Sequence, residues 1–331
     1  MAYYLGIDGG GTKTTCAVGN DDSLIATATA GPSNIVRAGE PTARRSLHQA
    51  IAQACAAAGI SPQQVARACI GAAGAASPEV VAAVRGIVAE VLGSEVVVTG
   101  DMQIALEAAF PAAPGIIVIA GTGSIAYGRD ARSRTARAGG WGFAVSDEGS
   151  AHWIGRQAVA ALFRARDLAG NKDASPLREK GSIAERNDDD AQPGLELFRE
   201  LQRSWNVTTI HDLVRVVNST PAPDFASLLA AVLKCADAGD ELCREVLVQA
   251  GGELAQLAAV ITGRLFPKPS GGDVGLGSQV PLAMVGGVFR HSVLVREAFY
   301  NETRKLDSRA NVLPRVVEPV EGALRLARST R

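Results

Sequence analysis

Two glycine-rich turns in this sequence carry the residue types that bind phosphate groups. DGGGTK occupies residues 8–13 after one apolar run, and GTGS occupies residues 121–124 after another. Glycines let backbone N–H groups approach phosphate oxygens closely, and threonine hydroxyls add further donors. One such turn alone is better explained by an ordinary hairpin, but two can grip a phosphate chain from both sides. The candidate phosphate ligands are Gly9, Gly10, Gly11, Thr12, Lys13, Thr122, Gly123 and Ser124.

A third glycine turn, Gly286-Gly287, follows the apolar run LAMV and is a candidate for the adenosine end of a nucleotide. Three turns in this order favour a nucleotide site over three unrelated hairpins. The first turn lacks the P-loop pattern G-x-x-x-x-G-K-[ST], and a β-prone run rather than a helix follows it. Both observations argue against a P-loop and against a dinucleotide-binding fold.

Two carboxylates stand at the ends of predicted strands near these turns. Asp8 closes the run YYLGID, where a carboxylate can hold Mg²⁺. Asp101 closes EVVVTGD, between the two phosphate turns. A base that accepts a hydroxyl proton during phosphoryl transfer belongs at such a strand end. The alternative role of Asp101 is to cap a helix over 102–109.

A second cluster combines glycines with acids. GGWG supplies Gly140, Trp141 and Gly142, and SDEGS supplies Asp147. Glycines bring the backbone close to a ligand, and a carboxylate accepts hydrogen bonds from sugar hydroxyls. The alternative is a hairpin turn followed by a helix over 147–167, whose dipole an acid at its start would favour.

The elements around these turns predict an α/β fold with mixed sheets and flanking helices. Short apolar runs between glycine turns predict strands, and Pro41 and Pro78 open predicted helices over 41–58 and 78–92. IVIAGTGSIAYG repeats the strand–turn–strand pattern of LGIDGGGTKTTCAVG, which indicates two lobes of similar plan. The second half is more helical, with predicted helices over 195–204, 224–237, 240–265 and 321–328, and with predicted loops over 171–194 and in PSGGDVGLGSQ.

Composition excludes several classes of protein. Among 331 residues, 33 Lys and Arg nearly balance 34 Asp and Glu, so the chain has no basic field for nucleic acid. No run suggests a membrane helix, and MAYYLGIDGGG is unlike a signal peptide. The five cysteines have irregular spacings, which favours reduced thiols in a cytoplasmic protein over a metal or iron–sulfur site.

The ordered motifs LGIDGGGTKT, GPSN, IAGTGS, GGWG, SDEGSAHWIG and VGGV cover nearly the whole chain. In this order they resemble the N-acetylglucosamine kinases of the BadF/BadG/BcrA/BcrD ATPase family, within the actin-like ATPase and sugar kinase superfamily. The resemblance implies a two-lobed actin-like (ribonuclease H-like) fold that binds ATP and Mg²⁺ in the cleft. We expect an N-terminal lobe over 1–115, with helix 319–331 as a candidate completion of it, and a C-terminal lobe over 116–318.

The resemblance also implies a role for each motif residue. Asp8 would hold the metal, and Asp101 would be the catalytic base and contact the sugar. The turns at 8–13 and 121–124 would bind the phosphates, and Gly286 and Gly287 would lie near the adenosine. The residues that would bind the sugar are Asn34 of GPSN, Gly140, Trp141, Gly142 and Asp147.

These roles imply phosphorylation of N-acetylglucosamine at its 6-hydroxyl by ATP in a cytoplasmic enzyme, which we expect to be a homodimer. Ile35 and Ala138 stand where animal members have a longer side chain and a cysteine, so kinases of glucosamine, N-acetylmuramic acid or another amino sugar remain alternatives. An ATP-driven dehydratase activator is disfavoured because the cysteines are scattered. A DNA-binding repressor on a kinase fold is disfavoured because the sequence opens on its phosphate strand.

Overall fold

Five strands from the first third of the chain form a mixed sheet. In the computed structural model they are β1 (Tyr3–Gly9), β2 (Thr14–Gly19), β3 (Leu24–Ala30), β4 (Val65–Ala72) and β5 (Glu95–Gly100). Their order is β3-β2-β1-β4-β5, with β1, β2 and β3 antiparallel and with β4 and β5 parallel to β1. The first glycine turn therefore joins two strands, as predicted.

A second mixed sheet uses later strands. They are β6 (Gly115–Ala120), β7 (Ser124–Arg129), β8 (Thr135–Gly139), β9 (Val280–Val285) and β10 (Ala310–Val317). Their order is β10-β9-β6-β7-β8, with an antiparallel meander followed by two strands parallel to β6. In both sheets the first three strands along the chain form an antiparallel meander, and the last two add in parallel beside the first strand. This shared topology confirms the predicted internal repeat and the prediction of mixed sheets.

Helices flank both sheets. The structure describes residues 1–75, 77–169, 194–268 and 279–329, so the predictions for 171–193 and for most of PSGGDVGLGSQ lie outside the described residues. The α-helices are α1 (Ile35–Ala38), α2 (Glu40–Ala57), α3 (Pro78–Ala89), α4 (Asp101–Ala109), α5 (Ala151–Ala169), α6 (Leu195–Trp205), α7 (Ile210–Val217), α8 (Leu229–Asp237), α9 (Glu241–Leu265), α10 (Gly287–His291), α11 (Val293–Leu306) and α12 (Pro319–Arg328).

The predicted helix over 147–167 is wrong at its start. Asp147 has φ +67°, a left-handed conformation that no residue inside an α-helix adopts. The helix α5 begins at Ala151, and the Ser150 hydroxyl accepts a hydrogen bond from the Trp153 N–H at 3.2 Å. Ser150 therefore caps this helix, and Asp147 is free of that role.

Within the part of the chain that the structure describes, one helix, α9, is long and apolar enough by length and composition alone to cross a membrane. Its 25 residues agree with the helix predicted over 240–265, but the sequence analysis recognised no run apolar enough for a membrane helix. Half of its most apolar stretch is buried inside the protein, and it packs against α11, α5 and the second sheet. Core packing therefore accounts for its apolar character.

Helices α4 and α12 lie side by side where the chain passes between the two sheets. Ala105 and Leu106 of α4 pack with Ile117 and Val285 of the second sheet. Ile104 of α4 instead packs with Cys69 of the first sheet and with Ala323 and Ala327 of α12. A single helix thus contacts both sheets. The lobe boundaries at 115/116 and 318/319 stay predictions, although the strands of each sheet fall on the expected sides.

Gly322 allows α12 to pack tightly on α4. A Cβ at Gly322 would lie 1.9 Å from the Ile104 carbonyl oxygen, whereas a Cβ at Gly86 of α3 would meet nothing within 4 Å. We expect Gly322→Ala to lower the free energy of unfolding by about 1–3 kcal/mol through overpacking. The matched variant Gly86→Ala should raise it by up to about 1 kcal/mol because alanine favours helix. Urea unfolding followed by circular dichroism measures both, and equal effects of the two variants would contradict the packing.

Candidate active site

Three parallel strands of the first sheet end at one edge and carry the predicted carboxylates there. Asp8 lies near the end of β1, and Asp101 directly follows β5. Between them β4 places only Gly71, which pairs with Asp8 on one side and with Thr99 on the other. Two inter-strand spacings amount to about 10 Å. The middle strand therefore places no side chain of its own between the two carboxylates, and Ile104 of α4 packs over Gly71 instead, because a Cβ there would lie 2.3 Å from Ile104 Cδ1.

Burial and like charge dominate the electrostatics of this edge. Burial and, after it, the nearby Asp101 carboxylate raise the pKa of Asp8 to about 7, although Lys13 opposes the shift. Burial also raises the pKa of Asp101, against the N–H of Met102, which donates to Asp101 Oδ1 at 2.9 Å. Two carboxylates that resist ionisation in this way are stabilised by a cation between them.

The chemistry of this edge fits Mg²⁺. Carboxylate oxygens are the ligands Mg²⁺ takes, and at nucleotide sites it needs only one or two of them beside water and phosphate oxygens. Over the described ranges, no group of three or more His, Cys, Asp or Glu side chains could hold a metal ion. Of the residues at this edge, Asp8 is the one that would hold such an ion, and phosphate oxygens and water would supply the other ligands.

The two phosphate turns touch across the cleft. The Thr12 hydroxyl and the Thr122 hydroxyl lie 2.8 Å apart, within hydrogen-bond distance. The first turn is closed by the Gly10 N–H, which donates to the Lys13 carbonyl at 3.0 Å, and a Cβ at Gly10 would lie 2.8 Å from that oxygen. Glycine is required there because the turn folds back on its own backbone. The tips of both turns therefore meet at these two hydroxyls.

The second turn is held from behind by α5. The Gly121 and Thr122 carbonyls accept hydrogen bonds from the Ala151 and His152 N–H groups, at 2.9 and 3.4 Å. The Ser124 side chain is buried and donates to the Glu148 carbonyl at 2.7 Å. The Ser124 hydroxyl is thus already engaged within the protein, while the threonine of this turn faces the first turn.

Asp147 joins the second turn to the glycine loop. A Cβ at Gly123 would lie 2.8 Å from Asp147 Oδ2, so only glycine lets the carboxylate lie on the turn. Burial raises the pKa of Asp147, and the Ser124 and Gly142 N–H groups oppose that shift by hydrogen bonding to the charged form. The carboxylate therefore lies between the phosphate turn and the loop that was predicted to contact the sugar.

The backbone conformation of the GGWG loop explains why it contains glycines. Gly140 and Gly142 have φ of +69° and +100°, the region that glycine alone adopts freely. The Trp141 side chain is 68% exposed, and the Arg137 guanidinium stacks 4.2 Å from its ring centroid. The structure thus places the loop backbone near Asp147 and leaves the Trp141 ring on the surface.

Asn34 lies beside the first turn and begins helix α1. Its backbone N–H donates to the Gly10 carbonyl at 3.2 Å, and its Oδ1 accepts from the N–H groups of Val36 and Arg37. The side-chain oxygen is therefore used for capping, and the amide NH₂ is the part that remains to meet a ligand.

The third glycine turn reaches the same cleft from the end of β9. Gly286 has φ +103°, and a Cβ there would lie 2.4 Å from the carbonyl oxygen of Ala120, the last residue of β6. Gly287 starts α10. The close backbone approach brings this turn next to the strand that leads into the second phosphate turn.

Sequence reasoning missed three charged residues near the site. Glu318 follows β10 as Asp101 follows β5, and its carboxylate accepts a hydrogen bond from Arg290. Both charges also affect the pKa of Asp8, less than burial, Asp101 and Lys13 do. Glu318 raises this pKa and Arg290 lowers it. Arg37 lies beside Gly11. An acid directly after an apolar run was the available signal for Glu318.

The model of the BadF/BadG/BcrA/BcrD ATPase family matches residues 5–327. The chain belongs to this family. Membership confirms the resemblance seen in the motifs and makes ATP the nucleotide of the cleft. It also fits the contact between the first two glycine turns and the position of the third beside the strand that leads into the second.

Relatives in this family are sugar kinases by name. The chain is 25% identical to an N-acetyl-D-glucosamine kinase of Dictyostelium discoideum, over 99% of this chain and 98% of that protein. It is 38% identical over 175 residues to an N-acetylmuramic acid/N-acetylglucosamine kinase of Clostridium acetobutylicum. That match spans 52% of this chain and 57% of the Clostridium protein, so the chain covers little more than half of that relative.

Solved structures confirm the predicted two-lobed actin-like fold. A candidate N-acetylglucosamine kinase from Chromobacterium violaceum superposes with a TM-score of 0.69 at 23% identity, over 99% of both chains. A ROK family glucokinase from Streptomyces griseus, in complex with glucose and AMPPNP, superposes with a TM-score of 0.59 at 15% identity, over 99% of both chains. At these identities the likeness shows the fold.

The position of Asp147 gives a sharp test of its role. We expect Asp147→Asn to raise KM for the sugar about 10–100-fold, the equivalent of the ~1.5–3 kcal/mol of a hydrogen bond to a charged group. KM for ATP should stay nearly constant. Steady-state kinetics against both substrates measure this, with Asp167→Asn, an exposed acid of α5, as the control. An unchanged sugar KM with a lowered melting temperature would show that Asp147 only braces the loop.

Proposed function

We propose that this protein transfers the γ-phosphoryl group of ATP to the 6-hydroxyl of N-acetylglucosamine and releases ADP. The observation that carries the proposal is the meeting of two glycine turns through Thr12 and Thr122, the first of which directly follows Asp8, the neighbour of the Asp101 carboxylate. An arrangement of this kind binds a phosphate chain on one side and leaves a base facing the acceptor on the other.

Different residues of the chain have different roles in the proposed phosphoryl transfer. Backbone N–H groups of the glycine turns, with the Thr12 hydroxyl and Lys13, hold the β- and γ-phosphates. Asp8 would hold Mg²⁺, which would offset the charge that develops on the phosphates. Asp101 accepts the proton of the sugar hydroxyl, and burial favours this because a raised pKa makes its carboxylate a stronger base.

The sugar is proposed to lie between Asn34, Asp147 and the backbone of Gly140 and Gly142. Asp147 accepts hydrogen bonds from ring hydroxyls, and the Asn34 NH₂ group donates. The relatives that support an amino sugar include the N-acetyl-D-glucosamine kinase that matches over the full length. Glucosamine and N-acetylmuramic acid are the alternative acceptors, since each is named in a relative that matches about half of the chain.

A dehydratase activator within the same family is the less favoured alternative. Such a protein presents cysteines at a subunit surface to hold an iron–sulfur cluster. The five cysteines here are all buried, in positions spread over both halves of the chain. Burial raises the pKa of Cys16, Cys69 and Cys243, which opposes the thiolate form that binds iron. These observations favour the sugar kinase.

The proposal is tested by removing the base. Asp101→Asn should lower kcat by about 10²–10⁴-fold, the usual cost of losing a general base, with little change in the affinity for ATP or sugar. A coupled assay of ADP release over N-acetylglucosamine, glucosamine and N-acetylmuramic acid measures the rates, and calorimetry measures the affinities. Asp22→Asn, an exposed acid in the β2–β3 turn, is the matched control. A variant that retains wild-type kcat at Asp101 would remove this residue from the reaction.

A further inference from the structure

Arg37 is a cation of the cleft that the proposed reaction leaves without a role. Its side chain is exposed, and across the ranges that the structure describes no carboxylate lies within ion-pair distance of it. Arg290, by contrast, is paired with Glu318. An arginine without an internal partner beside a ligand site is available to bind an anion.

The backbone that carries Arg37 is anchored to the first phosphate turn. Ser33 and Asn34 both donate their N–H groups to the Gly10 carbonyl, at 3.1 and 3.2 Å. The Arg37 N–H in turn donates to Asn34 Oδ1 at 3.3 Å. The position of the arginine relative to the turn is therefore determined by hydrogen bonds rather than by a free loop.

The guanidinium lies over the tip of that turn. Arg37 Nη1 is 3.7 Å from the position that a Cβ on Gly11 would take. The next residue, Thr12, is the one whose hydroxyl meets Thr122 of the opposite turn. After the effects of burial, the charge of Arg37 also lowers the pKa of Asp147. The arginine thus lies between the phosphate turns and the proposed sugar contact.

We propose that Arg37 contacts the γ-phosphoryl group during its transfer and stabilises the negative charge on its equatorial oxygens. The inference rests on the proposed function. In the step, a bond forms between the sugar oxygen and Pγ, and the bond from Pγ to the bridging oxygen of ADP breaks. The electron pair of the broken bond leaves with ADP, the sugar proton passes to Asp101, and Arg37 neither gains nor loses a proton.

The charges of the cleft favour the transferred phosphoryl group as the anion that Arg37 binds. Asp8, Asp101 and Asp147 contribute negative charge, and ATP adds more, so transfer requires cations near the moving group. Lys13 lies in the first turn and Arg290 is neutralised by Glu318. A guanidinium beside the turn tip supplies planar, multiple N–H donors that suit phosphate oxygens.

Kinetics of Arg37→Gln and Arg37→Lys test the proposal. We expect Arg37→Gln to lower kcat about 10²-fold or more, as loss of a transition-state donor does, with KM for ATP and N-acetylglucosamine changed less than about threefold. Arg37→Lys should retain an intermediate rate because it keeps the charge without the fork of donors. Arg85→Gln, an exposed arginine of α3, is the control.

A binding measurement separates this role from a structural one. With sugar present, Arg37→Gln should lose affinity for ADP with aluminium fluoride, which mimics the transferring group, by a factor close to its loss in kcat, and should bind AMPPNP as the wild type does. A kcat within about threefold of the wild type would overturn the proposal. So would a defect confined to KM for N-acetylmuramic acid, which would assign the guanidinium to the sugar's carboxylate.

Failure of the proposed function can be distinguished from failure of the proposal for Arg37. If the wild type releases ADP from ATP at a rate that no amino sugar increases, the sugar kinase proposal fails. The proposal for Arg37 is still tested in that case, because Arg37→Gln should lower the sugar-independent rate of ADP release. An unchanged sugar-independent rate would overturn it.

Discussion

Two like charges, Asp8 and Asp101, are brought to one buried sheet edge, and the rest of the site depends on that arrangement. Parallel strands β1, β4 and β5 end together, and Gly71 on the middle strand makes room for the Ile104 side chain of α4. Burial opposes the ionisation of both groups, and the Asp101 charge further opposes that of Asp8. A cation at this edge would offset that cost and the charge of a bound phosphate chain together, so the arrangement is suited to a nucleotide with its metal.

The two sheets are built to one plan, and the repeat explains where the charged residues lie. Asp101 follows the fifth strand of the first sheet, and Glu318 follows the fifth strand of the second. The helices that begin there, α4 and α12, pack on each other through Gly322 and Ile104. The chain therefore passes between the sheets twice at one place, where α4 and α12 pack together.

The sequence was sufficient for the strands and turns whose signals are local. The glycine turns, the acids at the ends of β1 and β5 and the repeat of strand–turn–strand were all recognisable from short patterns. Strand β10 was not predicted, because Pro314 interrupts its apolar run and the strand lies at the sheet edge with a shifted register. Glu318 was missed with it. The start of α5 was also missed, because two acids at 147–148 suggested a helix start that a left-handed Asp147 prevents.

Contacts between distant segments could not be predicted from the sequence, for a different reason. The hydroxyl pair of Thr12 and Thr122 joins residues 110 positions apart. Arg37 reaches Gly11 only because Ser33 and Asn34 bind the Gly10 carbonyl. Single-residue patterns do not carry such information, since each partner is an ordinary threonine, arginine or serine until the fold brings them together.

The central claim is that the cleft transfers a phosphoryl group from ATP to an amino sugar instead of to water. Phosphorus-31 NMR of the wild-type protein with ATP, Mg²⁺ and N-acetylglucosamine follows the fate of that group directly. The account predicts a sugar 6-phosphate monoester resonance that grows in equal amount with ADP, with little inorganic phosphate. ADP that accumulates with inorganic phosphate alone, for each amino sugar offered, would contradict it.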